Sequence, residues 1–202
     1  MKSRSLTRDG QQNERVARLR KCQPSDLLTA YNAELQNTSI AMFPTIDACR
    51  KIKSPLLGDV AAAFPEKQGE EAVSLTKSLA GVWLQAQLLA VSLFCGTKEK
   101  MTTWQTSALC EQIISQYPYL SLVEIVLFCA RLRSQYYGKF YGTIDPARII
   151  EALGRFVSER EADINRRHDM EEQEERERRY AEAKKRAITY EEYRRLMIEE
   201  GG

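Results

Sequence analysis

The side chains that most often carry out catalysis are scarce in this sequence. Its one histidine, His168, lies in a charged run. No H-E-x-x-H zinc motif, no G-x-S-x-G nucleophile motif and no dinucleotide-binding glycine motif is present. Gly138-Lys139 is not part of a phosphate-binding loop, because Arg133 stands where the first glycine of that motif belongs and Phe140 follows the lysine. We therefore predict a protein that is not an enzyme, binds no cofactor and acts on no small-molecule substrate.

The segment from Arg131 to Tyr141 combines cations with aromatic rings, which suggests two uses. Its candidate contacts for a partner or a phosphate are Arg131, Arg133, Tyr136, Tyr137, Lys139 and Tyr141. Cations that hold phosphates beside rings that stack on bases are typical of proteins that bind single strands. The alternative, which we favour, is that the rings close one end of a helical core and that the neighbouring glycines permit a turn.

The cysteines favour a reducing compartment. There are five of them, an odd number, and no C-x-x-C pair occurs. A structural zinc site or a disulfide framework needs clustered ligands, and His168 lies far from any cysteine in the sequence. We therefore expect free thiols and no metal site.

Charge divides the chain into three parts. Residues 1–22 carry seven basic and two acidic side chains, residues 23–157 carry twelve of each, and residues 158–202 carry eleven basic and fourteen acidic ones. We therefore predict three parts: a basic flexible arm (1–22), for which a marginal helix is the alternative, a helical core domain (23–157), and a charged helical extension with a short terminal helix (158–202).

No segment of the sequence predicts export or a membrane span. The basic residues near the start are not followed by the apolar run of a signal peptide. Residues 78–97 are uncharged and about as long as a membrane span, but Gln85, Gln87 and Ser92 interrupt them. We therefore predict a cytoplasmic protein without a membrane partner.

The apolar spacing predicts an all-α fold, a compact bundle of five or six helices over about residues 24–157 with a long charged C-terminal helix extension. A helix beginning at Pro24 is expected to end at Asn37-Thr38-Ser39. The apolar-rich helix near residues 70–95 is expected to be the central one, around which the others pack. Ser121 and Glu124 have the spacing of a capping box at the start of a further helix.

Two further patterns concern the later helices. The helices near 103–116 and 121–135 are separated by a short turn, as in a helix–turn–helix, but apolar residues crowd the start of the second helix and argue against reading of the major groove. Past residue 157, acidic residues precede basic ones by four positions, as in Glu172–Arg176 and Glu175–Arg179. Such pairs support a solvated single helix without the apolar heptads of a coiled coil.

A resemblance to known proteins is carried by three strings between residues 116 and 161. These are Y-P-Y-L-S-L-x-E-I-x-L-F from Tyr117, Y-G-K-F-Y-G-x-I-D from Tyr137 and A-L-x-x-F-x-x-E-R from Ala152. They resemble a group of small uncharacterised helical proteins from Bacteroidota genomes, their phages and mobile elements. The resemblance implies a prokaryotic cytosolic setting beside mobile-element DNA replication, and it implies no activity and no site residues.

Two functions follow from these patterns as expectations. The first is a non-enzymatic interaction or adaptor protein, whose charged helix and aromatic turn bind a protein partner or a second copy in a homo-oligomer. The alternative is a nucleic-acid-associated accessory factor in DNA replication, in which the basic arm and the segment from Arg131 to Tyr141 contact phosphates.

Overall fold

The computed structural model describes residues 8–65, 78–96, 99–140, 144–187 and 190–199. Within these ranges the chain forms ten helices and no strand, so the all-α fold class is confirmed. The helices are α1 (Arg8–Leu19), α2 (Pro24–Ala30), α3 (Leu35–Met42), α4 (Ile46–Lys51), α5 (Leu57–Ala63), α6 (Leu79–Phe94), α7 (Thr103–Gln116), α8 (Leu122–Arg133), α9 (Pro146–Arg186) and α10 (Tyr190–Glu199).

The described helices outnumber the five or six expected because the first third of the chain is divided into short ones. Helix α2 ends at Ala30, and α3 then runs through Asn37-Thr38-Ser39, where we expected a helix to end. Ser39 is buried and its hydroxyl donates to the carbonyl of Gln36 at 3.1 Å. A serine that satisfies its hydroxyl within the preceding turn is compatible with a helix.

Helix α8 is the central helix of the core. Ten of its twelve residues are buried, and it packs against α3, α4 and α6. The helix expected near residues 70–95 is described from Leu79 as α6, and residues 70–77 lie outside the described residues. It packs against α5, α7 and α8 but leaves Val82, Leu89 and Leu93 exposed, so α8 is the more enclosed of the two helices. An enclosed helix is apolar over most of its surface, and the charged residues of α8 are confined to its first turn, Glu124, and its last turn, Arg131 and Arg133.

Local capping fixes where the principal helices begin. Ser121 and Glu124 form the predicted capping box at the start of α8, with the Glu124 carboxylate accepting from the Ser121 amide at 2.8 Å. Thr102 and Gln105 form a second capping box at the start of α7. These contacts satisfy amide groups that a first helical turn otherwise leaves without partners.

Helix α5 approaches the turn before α8 so closely that a glycine is required. The Gly58 amide donates to the carbonyl of Pro118 at 2.9 Å, and the Leu57 amide donates to that of Leu120 at 2.8 Å. A Cβ atom on Gly58 would lie 2.6 Å from the Cβ of Pro118, well inside van der Waals contact.

Residues 8–19 adopt the helical alternative for the basic arm. They form α1, which packs against α5 and buries Val16. The Arg15 guanidinium donates to the buried carboxylate of Asp59 on α5, with Nε and Oδ2 2.5 Å apart. The apolar contact and the ion pair together order this segment.

Contacts between Cα atoms divide the chain into two units, Met1–Arg160 and Glu161–Gly202. In the second unit, α9 carries exposed ion pairs one helical turn apart, including Arg176–Glu172 at 2.7 Å and Arg179–Glu175 at 2.6 Å. The short helix α10 follows it, as predicted from the sequence. None of the helices described is long and apolar enough to cross a membrane.

Candidate functional site

Arg131, the first predicted contact residue, is held by other residues of the same chain. Its Nη1 donates to the Glu159 carboxylate at 2.8 Å and to the Tyr137 hydroxyl at 3.2 Å. Its guanidinium also lies over the ring of Tyr136, with Cζ 4.9 Å from the centroid. Arg131 therefore joins the end of α8 to α9, and the Glu159 carboxylate offsets the charge that it would offer to a phosphate.

Arg133 and the two tyrosines are also partly engaged. The Arg133 guanidinium lies over the ring of Phe94, with Cζ 4.1 Å from the centroid. Tyr137 is half-buried and packs against Phe128, so its ring contributes to the core as the favoured alternative predicted. Burial raises the pKa of Tyr137 to about 12, although the hydrogen bond from Arg131 acts in the opposite direction. Tyr136 differs, because 56% of it is exposed.

Lys139 is the predicted residue that fits a ligand contact best, since its side chain is exposed beside a cleft. Tyr141 lies outside the described residues. The structure thus separates the predicted set into a structural group around Arg131 and Tyr137 and an exposed group consisting of Tyr136 and Lys139.

The cleft lies between the turn that follows α8 and the first turns of α9, and its volume is about 260 Å³. Lys139 reaches it from the turn, and Arg148, Glu151 and Arg155 reach it from α9. Phe140 adds an apolar wall. Three cations and one carboxylate give the cleft an excess of two positive charges, which favours an anion.

The two arginines of the cleft are held in position by the turn. Arg148 donates through Nη1 to the carbonyl of Lys139 at 3.1 Å, and Arg155 donates through Nη1 to the carbonyl of Tyr137 at 3.3 Å. Each bond uses one of the five N–H groups of a guanidinium. Among the described residues neither arginine forms an ion pair with Glu151. The two arginine side chains are therefore held by the turn, and most of their N–H groups remain free to bind a ligand.

The sequence contained one signal for this cleft that we did not use. Arg148 and Arg155 are seven residues apart, so they lie on the same face of a helix at a separation of about 10 Å along its axis. What the sequence lacked was the position of Lys139 relative to them, which depends on the path of the turn.

A second surface lies on the outer face of α6. Val82, Ala86, Leu89 and Leu93, which we call the α6 stripe, are exposed, and the three larger side chains are 44–58% accessible. Their spacing of four, three and four residues is that of a coiled-coil seam. A cavity of about 350 Å³ lies beside the stripe, and Val82 and Leu89 form part of its wall together with Met101.

The thiols are poor nucleophiles in this fold. Burial raises the pKa of Cys49, Cys110 and Cys129 to about 12 in each case. They are therefore protonated at neutral pH, and only the thiolate form is reactive. Cys22, in contrast, is exposed. Nowhere in the described ranges do three or more His, Cys, Asp or Glu side chains converge as a metal ion would require.

Comparison with known proteins gives a family but no activity. Residues 100–200 match the model of DUF6633, which is described as a family of unknown function. The match includes residues 116–161 and therefore the turn and the cleft. No curated protein and no solved structure matches the chain significantly.

Proposed function

The chain belongs to the DUF6633 family, whose function is unknown, and we propose that it is a non-enzymatic interaction protein, an adaptor that binds a second copy of itself through α6. The observation that carries the proposal is the α6 stripe. An exposed apolar seam at coiled-coil spacing on a folded domain is a marker of an interface with another helix.

The symmetry of the stripe favours a second copy as the occupant. The spacing of four, three and four reads the same in both directions, so an antiparallel copy related by a two-fold axis places Val82 opposite Leu93 and Ala86 opposite Leu89. Each pair joins a larger side chain with a smaller one, which allows the two seams to interdigitate.

Charge adds a second argument for self-association. Residues 78–96 contain no charged side chain. A two-fold axis brings the same face of both copies together, so a face with an excess of one charge would bring like charges together. The α6 stripe avoids this cost.

Self-association is tested by light scattering of the purified chain between about 5 and 200 µM. We expect a mass that rises toward twice 23.2 kDa. Leu89→Glu introduces a charge beside the proposed axis and should keep the protein monomeric. Ile40→Glu, which changes an exposed aliphatic residue of α3, is the matched control and should leave the dimer intact. A wild-type protein that stays monomeric at 200 µM, or a dimer that Leu89→Glu does not affect, would refute the proposal.

A cytoplasmic, prokaryotic setting is part of this proposal. Five free cysteines support a reducing compartment. The resemblance of residues 116–161 to helical proteins of Bacteroidota, their phages and mobile elements supports the source. The raised pKa values of the three buried thiols support a role without nucleophilic catalysis.

A second candidate function is a nucleic-acid-associated accessory factor in DNA replication. The observation that favours it is the cationic cleft, which adds Arg148 and Arg155 to the basic arm and the segment from Arg131 to Tyr141 as candidate contacts with phosphates. With a net charge of only +2, the whole chain has little general attraction for nucleic acid, so any binding depends on the local charge. A steep loss of binding with added salt distinguishes this function from a purely protein-binding one.

A further inference from the structure

We propose that the cleft between the turn and α9 binds the phosphate groups of a ligand, with Lys139, Arg148 and Arg155 as the contact residues. This inference goes beyond self-association and does not depend on it. It rests on the convergence of cations from two separate elements on one concave space.

The geometry favours a built site over a solvated face. Arg148 and Arg155 are exposed, but each donates to a carbonyl group of the facing turn, at 3.1 and 3.3 Å, so both side chains are directed toward the turn. The Arg155 guanidinium also lies over the Tyr137 ring, with Cζ 5.5 Å from the centroid. Because these contacts already restrict the side chains, less conformational freedom is lost when an anion binds.

The size of the cleft indicates how much of the ligand it holds. A volume of about 260 Å³ lies below the range of roughly 300–1,000 Å³ that encloses drug-sized molecules. The cleft therefore holds phosphate groups while the rest of the ligand lies outside. Tyr136 does not line the cleft, but its ring is 56% exposed and its centroid is 4.9 Å from that of Tyr137, which does, so a nucleobase outside the cleft can stack on the face that Arg131 leaves open.

We expect phosphate rather than carboxylate because phosphate groups in series present several charged oxygens along the cleft. The backbone positions of Arg148 and Arg155 lie about 10 Å apart along α9, and Lys139 lines the cleft from the turn. Guanidinium groups bind phosphate oxygens with paired N–H donors, and an ammonium group adds a point charge. Two sources carry this chemistry, a single-stranded nucleic acid and a free nucleotide with several phosphates.

The test measures fluorescence anisotropy with a labelled oligothymidylate and, separately, with a labelled ATP analogue, at about 50 and 200 mM salt. Binding of either probe at micromolar concentration supports the site, and the tighter probe identifies the source. A labelled oligoglutamate serves as the carboxylate probe, and equal binding of it would contradict the preference for phosphate.

Variants connect the binding to the cleft. Lys139→Gln removes an exposed side chain whose backbone carbonyl still accepts from Arg148, so the fold is retained, and we expect binding to weaken about 5- to 10-fold. The double variant Arg148→Gln with Arg155→Gln should weaken binding at least about 10-fold. For a single strand, each lost contact should also lower the slope of log K against log salt by about 0.7.

The matched control is Arg50→Gln, which removes an exposed arginine from α4, outside the residues that line the cleft. Circular dichroism establishes that each variant is folded. Binding that is equally strong in the wild type and in the Lys139 and double variants would overturn the proposal. So would the absence of binding by both phosphate probes at 50 mM salt.

Discussion

The ion pair between Glu124 and Arg160 should contribute far more to stability than an exposed pair of the same residue types. One carboxylate oxygen of Glu124 accepts from Arg160 Nε at 2.7 Å, and the other accepts from the Ser121 amide at 2.8 Å. The side chain of Glu124 is 2% exposed and that of Arg160 is 16% exposed. The pair links the start of α8 to α9, the helix that also carries Arg148 and Arg155.

Arg160→Met leaves a buried carboxylate without its cation while keeping an apolar side chain of similar length. Removing one partner of a buried pair costs about 3–5 kcal/mol, and the partial exposure of Arg160 places the expected loss near ~3 kcal/mol. For a domain of this size that corresponds to a fall in melting temperature of about 6–12 °C. Urea unfolding followed by tryptophan fluorescence reports the loss, because Trp83 is buried in the same unit.

Two further variants make the comparison decisive. Arg18→Met breaks the exposed pair with Glu14, whose partners are 71% and 50% exposed, and should cost less than about 0.5 kcal/mol. The double variant Glu124→Gln with Arg160→Met removes both charges and keeps an acceptor for the Ser121 amide, so it should recover most of the lost stability. If Arg160→Met costs no more than Arg18→Met, the reasoning from burial is refuted.

Three other predictions concern packing, thiols and pH. Gly58→Ala should destabilise the protein by about 1–3 kcal/mol in urea unfolding, because the added methyl group meets Pro118. Gly154→Ala, on α9 with open space around it, should stabilise the protein by up to about 1 kcal/mol, and equal effects of the two variants would contradict the close approach at Gly58. In the native protein a thiol reagent at pH 8 should modify the exposed Cys22 rapidly. Cys49, Cys110 and Cys129, whose pKa values are about 12, should react only after unfolding, and rapid modification of any of them would contradict their burial. Because burial raises the pKa of Tyr137 to about 12, the unfolded chain releases this proton first, so the free energy of unfolding should fall as pH rises from about 10 to 12. Tyr137→Phe should show a smaller fall over that range in urea titrations, and an unchanged fall would contradict the assignment.

The helix-forming patterns were predictable where the interactions that produce them are local. The two partners of the capping box, Ser121 and Glu124, are only three positions apart in the sequence. The alternation of apolar and polar residues along each segment likewise requires nothing beyond helical geometry. These signals were sufficient for the all-α class and for the long C-terminal helix.

The role of each helix in the core was not predictable in the same way. Helices α6 and α8 are both rich in apolar residues, and composition alone suggested that α6 is central. Which of them is enclosed depends on the packing of α3 and α4, which contact α8. The α6 stripe is therefore visible only once the neighbours are in place.

By itself, the sequence determined the helical class, the ends of the capped helices and the presence of cations beside aromatic rings, because these depend on residues within about one helical turn of each other. Only the tertiary structure decided what each cation does. Arg131 meets Glu159 from 28 residues away along the chain, and Lys139 meets the two arginines of α9 across the turn. A charge that finds a buried partner becomes part of the scaffold, and one that faces an open cleft remains available to a ligand. That difference is set by the fold, because it depends on which distant groups the packing of the helices brings within a few ångströms.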